Sequence, residues 1–220
     1  RQMCIRDRFY RTLTGLSMSI LIGVLAAGVS AVMALILGIC AATLGKKVDS
    51  AISFAIDTVM GIPHILLLIL ISYAMEKGLK GVIAGVALTH WTSLARLIRG
   101  EVMQLRESEY IQIAGKLGLG KWEIAKKHIV PHVLPQFIVG LVLLFPHAIL
   151  HESSITFLGF GLSTEQPAIG VILSESMRYL IMGKWWLAVF PGMMLVLTVV
   201  LFEKGGTALR QLLDPGSVHK

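Results

Sequence analysis

Residues 96–135 read RLIRGEVMQLRESEYIQIAGKLGLGKWEIAKKHIVPHVLP, a polar and basic island with apolar runs on both sides. An ordered polar loop between two such runs is expected to have work in the aqueous phase, most simply docking. Tyr110, Ile113, Ala114 and Leu117 recur at i, i+3, i+4 and i+7, which predicts a helix over residues 107–117 with one apolar face. Gly118 supplies a helix stop and Gly120 a turn. A second helix is predicted over 121–129, with Trp122, Ala125 and Ile129 on a shared face. Pro131 and Pro135 are expected to keep it from merging with the next apolar run. Two short helices of this kind present an apolar ridge rimmed by charge. Such a ridge suits a groove on a partner protein, and it equally suits a lipid surface, where basic flanks are also expected. Residue pattern alone leaves both readings open.

Composition places the island in a membrane protein. Of 220 residues, 55% are hydrophobic and 15% charged, with mean hydropathy +0.76; a soluble domain carries about 25% charged residues. Five apolar runs are long enough to cross a bilayer: 16–43, 54–75, 80–97, 133–150 and 185–202. The predicted fold is therefore an all-α polytopic bundle. Gly23, Gly28 and Gly38 are candidate close-packing points in the first run. Gly61-Ile62-Pro63, Pro146 and Pro191 interrupt later runs and are candidate hinges or cavity linings. Residues 1–15 read as a segment before the first span. Residues 151–184 read as an external loop whose stretch 169–180 forms a short re-entrant or surface helix.

The excess charge of +7 sits in particular loops, without interleaved aromatics, so nucleic-acid binding is excluded as a first reading. With the island inside the cell, twelve of the twenty Lys and Arg fall on inner segments, in line with the positive-inside rule. The four arginines of residues 1–11 conflict with it. Trp185 and Trp186 stand where an outer interfacial belt belongs. The chain does not begin with Met, and the run from about Ile20 is too long for a signal peptide and lacks its cleavage site; a native start upstream is expected. Cys4 and Cys40 are too few for a disulfide framework, and Cys40 reads as a small core residue.

Gly115–Trp122 (GKLGLGKW) nearly matches the phosphate-binding pattern G-x-x-x-x-G-K-[ST]. Trp122 stands where the magnesium-binding hydroxyl must be, and the segment lies between two helices instead of after a strand. ATP, if it is used, binds another chain.

At this point the island resembles the EAA loop of ABC importer permeases. Gln112-Ile113-Ala114 stands for Glu-Ala-Ala, Gly118 keeps the spacing, and His128-Ile129-Val130-Pro131 resembles the His-Ile-Leu-Pro segment of the dipeptide/oligopeptide/nickel branch. Of the triplet only Ala114 is kept, and Gln112 offers no carboxylate. The likeness covers nearly the whole chain: Asp7, Arg11, Gly15 and Ser19 (with Ser17 for the usual Arg), Lys47-Val48-Asp49, Arg96–Gly100, Ser154–Gly161 (SITFLGFG) and Leu213-Asp214-Pro215 all look like that branch. The resemblance implies a type I ABC importer permease fold with a sixth span upstream, and a multi-pass protein of a bacterial or archaeal inner membrane. It implies a second permease subunit, two ABC ATPases that carry ATP and Mg, a solute-binding protein and surrounding lipid. No cofactor is then bound by this chain and it performs no bond chemistry. The coupling residues implied are Tyr110, Gln112, Ala114, Gly118, Trp122 and Pro131, within a loop over residues 99–132. An ATPase-independent channel or a membrane enzyme is the reading from a different class.

Cargo is read from ionisable residues, which are costly inside a membrane and are functional hypotheses there. His64 follows the Gly61–Pro63 break, His90 sits in the third run, and His147 and His151 lie four apart near the outer end of the fourth, with Glu152 adjacent. These five are the candidate substrate path. His147 and His151 share a helical face and form a candidate site for nickel, since neutral imidazole suits it; the spacing is not His-Glu-x-x-His, which excludes a metalloprotease. The structural alternative is hydrogen bonding across helices. Cargo is therefore nickel, free or chelated, or a small peptide with the histidines structural. His128 and His132 are assigned to helix capping or lipid headgroups, and Glu175 and Arg178 to a surface pair.

Overall fold

A computed structural model describes residues 5–213. Arg1, Cys4, Asp214, Pro215 and Lys220 lie outside them. The described chain is helical, with no strand: α1 (Ile5–Thr43), α2 (Lys46–Gly61), α3 (His64–Ala74), α4 (Gly78–Glu107), α5 (Glu109–Lys116), α6 (Lys121–Ile124), a π-helical turn (Ala125–Ile129), α7 (Val130–Phe157), α8 (Ile169–Leu180) and α9 (Trp186–Leu213). Four helices are long and apolar enough to span a membrane, or five spans if the bent pair α2–α3 counts as one. The helix expected over 169–180 is present with those bounds.

Two expectations fail for physical reasons. Of the segment expected over residues 1–15, the described part from Ile5 belongs to the first helix: nothing between Ile5 and Gly15 breaks a helix, Asp7 favours the helix N-terminus, and α1 runs 39 residues without interruption. At about 1.5 Å per residue it outreaches the hydrocarbon core by a wide margin. The break expected at Gly61–Pro63 is present, and α2 and α3 meet there at 98°. Pro63 forces Ile62 into extended backbone (φ −90°, ψ 136°), so α2 stops at Gly61 and α3 restarts in a new direction. Pro131 and Pro135 do not separate the second island helix from the next span: helix runs from Trp122 to Phe157. The wider π turn over Ala125–Ile129 sets a new register, and Pro131 falls in the first turn of α7, where its missing N–H costs little. Pro135, Pro146 and Pro191, by contrast with Pro131, lie inside α7 and α9, which continue through them.

The core is the seam where α1 crosses α4, backed by α7. Ala26, Ser30, Ala34, Gly38 and Ala42 recur every fourth residue on α1 and are all buried. This stripe lets the backbones approach closely, the usual basis of helix association where lipid is as apolar as the helices themselves. Ser30 Oγ donates to the Ala87 carbonyl across the seam at 3.0 Å. A Cβ at Gly38 would stand 2.9 Å from the Ala95 carbonyl oxygen, whereas one at Gly28 would meet nothing within 4 Å. Gly28 is therefore not a packing point.

Gly38→Val is expected to destabilise the chain by about 1–3 kcal/mol through overpacking against backbone, while Gly28→Ala is neutral. Thermal unfolding of the detergent-solubilised protein separates them; equal midpoints would contradict the close approach.

Candidate functional site

The island forms at the end of α4. Helix α5 leaves α4 at Ser108 and ends at Lys116, and Gly118, with φ of 91°, turns the chain away just beyond it. Gly118 N–H donates to Gly115 O and Leu119 N–H to Ala114 O, both at 3.2 Å, the paired bonds of a Schellman cap. This cap occupies the segment that nearly matched a phosphate-binding loop. Ile111 and Ala114 turn inward and are buried, so Ala114 belongs to the island's core and not to its ridge. The exposed ridge is Tyr110, Ile113, Leu117 and Trp122, the last two 78% and 82% exposed. Gln112 Nε2 donates to the Glu107 carbonyl at 3.1 Å, splinting the α4–α5 corner. His128 packs its ring on Tyr110, and Lys127 pairs with Glu123. Pro131 and His132 line a cleft of about 520 Å³ with Glu101 and Arg210.

Ion pairs fasten the base of the island, and sequence reasoning missed them. Arg99 grips Asp49 of α2 with two parallel bonds, Nη2 to Oδ2 at 2.8 Å and Nε to Oδ1. Arg96 Nη2 reaches Asp57 of α2 at 2.7 Å, and Arg106 donates to the Ala42 carbonyl at the end of α1. A signal was present: Asp49 and Arg99 each lie in segments that resembled the same family. Nothing in one sequence pairs them.

The histidines come together at the α2–α3 bend. His64 opens α3, His90 lies mid-way along α4, and His151 lies on α7. Their ring centroids are 4.7 Å (64–90), 4.5 Å (64–151) and 4.9 Å (90–151) apart. They line a cavity of about 600 Å³ with Met60, Pro63, Thr89 and Leu144. His147 lines the same cavity but stands outside the three-ring cluster, so the pair expected from i, i+4 spacing is replaced by a trio from three helices.

Glu152 points elsewhere. It is fully buried and accepts hydrogen bonds from Ser153 (3.2 Å) and Thr156 (3.0 Å). Thr156 Oγ1 in turn takes the Leu162 N–H at 3.2 Å. Glu152 thus holds the SITFLGFG turn, which also binds the α3–α4 corner through Ser72 Oγ to Phe160 O (2.7 Å) and Gly78 N–H to Gly161 O (3.0 Å). A mouth of about 950 Å³ opens beside this turn, lined by Arg11, Lys77, Glu175, Arg178 and Tyr179. Glu175 pairs across it with Arg11 at 3.1 Å, not with Arg178 as the i, i+3 spacing suggested.

The Asp49–Arg99 pair is half-shielded and bidentate, so Arg99→Ala is expected to cost about 1–2 kcal/mol. The charge swap Asp49→Arg with Arg99→Asp should recover much of that loss. Strictly additive single and double variants in a thermal-stability cycle would show that the pair is not coupled.

The comparisons with known proteins agree with this geometry. The family model described as binding-protein-dependent transport system inner membrane component matches residues 34–217. The dipeptide transport system permease protein DppC of Bacillus subtilis (strain 168) is 32% identical over 210 residues, covering 96% of this chain and 66% of that protein. The oligopeptide transport system permease protein OppC of the same organism is 32% identical, covering 96% and 68%. A probable D,D-dipeptide permease, DdpC of Escherichia coli (strain K12), is 30% identical, covering 96% and 70%. The chain thus spans about two thirds of the length of these relatives. Among solved structures, the MetNI methionine ABC transporter in an inward-facing form aligns with TM-score 0.76 at 15% identity, covering 94% of this chain and 97% of that one. An amino acid ABC transporter crystallised with histidines aligns with TM-score 0.69 at 16% identity, covering 96% and 98%. These two share the fold. The chain belongs to the family of binding-protein-dependent transport system inner membrane components, as a multi-pass permease.

Proposed function

We propose that this chain is one of two permease subunits of an ATP-driven importer, that it lines part of a path for small peptides, and that residues 108–122 seat it on a partner ATPase. The observation that carries the reading is the exposed ridge of Tyr110, Ile113, Leu117 and Trp122. Four large apolar side chains on a charged, water-facing element mark a protein-binding patch. Basic flanks alone would also suit lipid, but here the element is held rigid by a Schellman cap and by ion pairs at its base. A rigid ridge suits a groove better than a fluid headgroup layer. ATP and Mg belong to the ATPases. The peptide assignment follows the named cargo of the dipeptide and oligopeptide relatives. An extracytoplasmic binding protein would deliver cargo at the outer mouth around Arg11 and Glu175.

The mechanism follows from what is fastened to what. The ridge meets the end of α4 at the Ser108 corner, and α4 is tied to α2 by Arg99–Asp49 and Arg96–Asp57. His90 of the inner cavity lies on that same helix. A movement of the ATPase groove therefore reaches the cavity through the α4–α5 corner, which Gln112 splints, and along α4. ATP can drive it only by binding one state of the assembly more tightly than the other. A second reading, nickel as cargo, is favoured by the three clustered imidazoles.

Leu117→Asp with Trp122→Asp is expected to leave insertion and pairing with the second permease intact. Each apolar anchor is worth about 2 kcal/mol, or about 30-fold in affinity, so the ATPase should be lost on purification and dipeptide uptake should fall with it. Trp122→Phe should retain both. Full ATPase retention by the double Asp variant would overturn the docking assignment.

A further inference from the structure

We infer that His64, His90 and His151 form a binding site for a late first-row divalent cation, such as nickel or zinc, within the translocation cavity; the inference rests on that cavity being part of the path. Each imidazole offers one ligand atom, and the three atoms all lie within 4.8 Å of one another. Metal–nitrogen bonds of about 2.0–2.1 Å place tetrahedral ligand nitrogens roughly 3.3 Å apart, so small ring rotations close the set. The rings come from α3, α4 and α7, three helices that meet beside the α2–α3 bend.

The hydrogen bonding decides between a ligand set and a structural cluster. His90 Nδ1 stands 3.0 Å from the Val86 carbonyl. A carbonyl only accepts, so Nδ1 carries the proton and Nε2 holds a free lone pair. That Nε2 is buried and has no partner, and neither has the buried Nε2 of His64. A ring fixed by a backbone carbonyl at one nitrogen and bare at the other is the usual arrangement of a metal-bound histidine. Histidines holding helices together would instead bond across them, and none of the three does so among the described residues. Neutral nitrogen ligands favour nickel, copper and zinc over magnesium or calcium.

The set has three ligands and an open side. That side faces the cavity of about 600 Å³, where His147 also lies. The nearest carboxylate in sequence, Glu152, is turned away and fully bonded. A filled site therefore keeps the ion's charge uncompensated by protein, which favours a cation arriving with its own anionic ligand and leaving again. The free ion and a small chelate share this chemistry.

The test uses the complete importer in lipid nanodiscs, purified without a polyhistidine tag. Equilibrium binding of nickel-63 is measured alone and with excess L-histidine, and X-ray absorption reports the ligands. About one nickel per copy of this chain in either arm, with imidazole nitrogens in the first shell, is expected. His90→Asn and His151→Asn should each weaken binding at least about 100-fold, while His147→Ala keeps the imidazole signature. ATPase retention and an unchanged thermal unfolding midpoint identify variants that still fold and assemble. A transport-competent complex that binds no nickel in either arm would overturn the site and leave the permease reading standing. Undiminished binding in assembled His90→Asn and His151→Asn complexes would overturn it equally.

Discussion

In hydrocarbon a backbone N–H or C=O has no water to turn to, so this chain can bend only where something else takes the freed group. That constraint makes each departure from straight helix informative. The bend at Gly61–Pro63 uses a residue with no N–H to lose and opens a cavity in which the histidines meet. The turn after α7 is closed by Gly159 and by hydroxyls of Ser72 and Thr156, and it forms one wall of the mouth lined by Arg11 and Glu175. The α5–α6 corner is closed by a Schellman cap and carries the exposed ridge. Each candidate site lies at a place where the helical ladder is interrupted and repaired.

Close packing joins these places. The small-residue stripe on α1 draws it against α4, and α4 carries both the cavity's His90 and the island. The island end of α4 is gripped by Asp49 and Asp57 from α2 and by the Ala42 carbonyl from α1. Force on the ridge therefore meets a helix that is fixed at its base and densely packed along its length. Such elements shift between discrete arrangements instead of deforming gradually, which suits an alternating path.

What was legible in the sequence follows from the range of each interaction. Helices set by local composition were legible: the apolar runs, the helix over 169–180 and the stop at Gly118. Contacts between distant segments were not. No periodicity relates His64 on α3 to His90 on α4, whereas His147 and His151 share a helical face and so drew attention as a pair. Pro131 reads as a helix breaker by its ring and missing N–H, but a π turn just upstream gives it a first-turn position. Ala114 shares a helical stripe with Tyr110 and Leu117, yet Ile111 beside it sets which side faces the core. Glu175 has Arg178 one turn away and still pairs with Arg11, because α1 extends past its apolar run to meet α8.

The central claim is that the ridge of residues 110–122 seats on an ATPase. Cysteine cross-linking in native membranes tests it most directly, with Cys4 and Cys40 replaced by Ser and single cysteines placed at Leu117 on the ridge and Met182 beyond α8. Leu117→Cys is expected to form an adduct with an ATPase subunit, at a yield that changes when ATP is trapped, and Met182→Cys to form none. An intact, transporting complex in which Leu117→Cys reaches no ATPase subunit would contradict it.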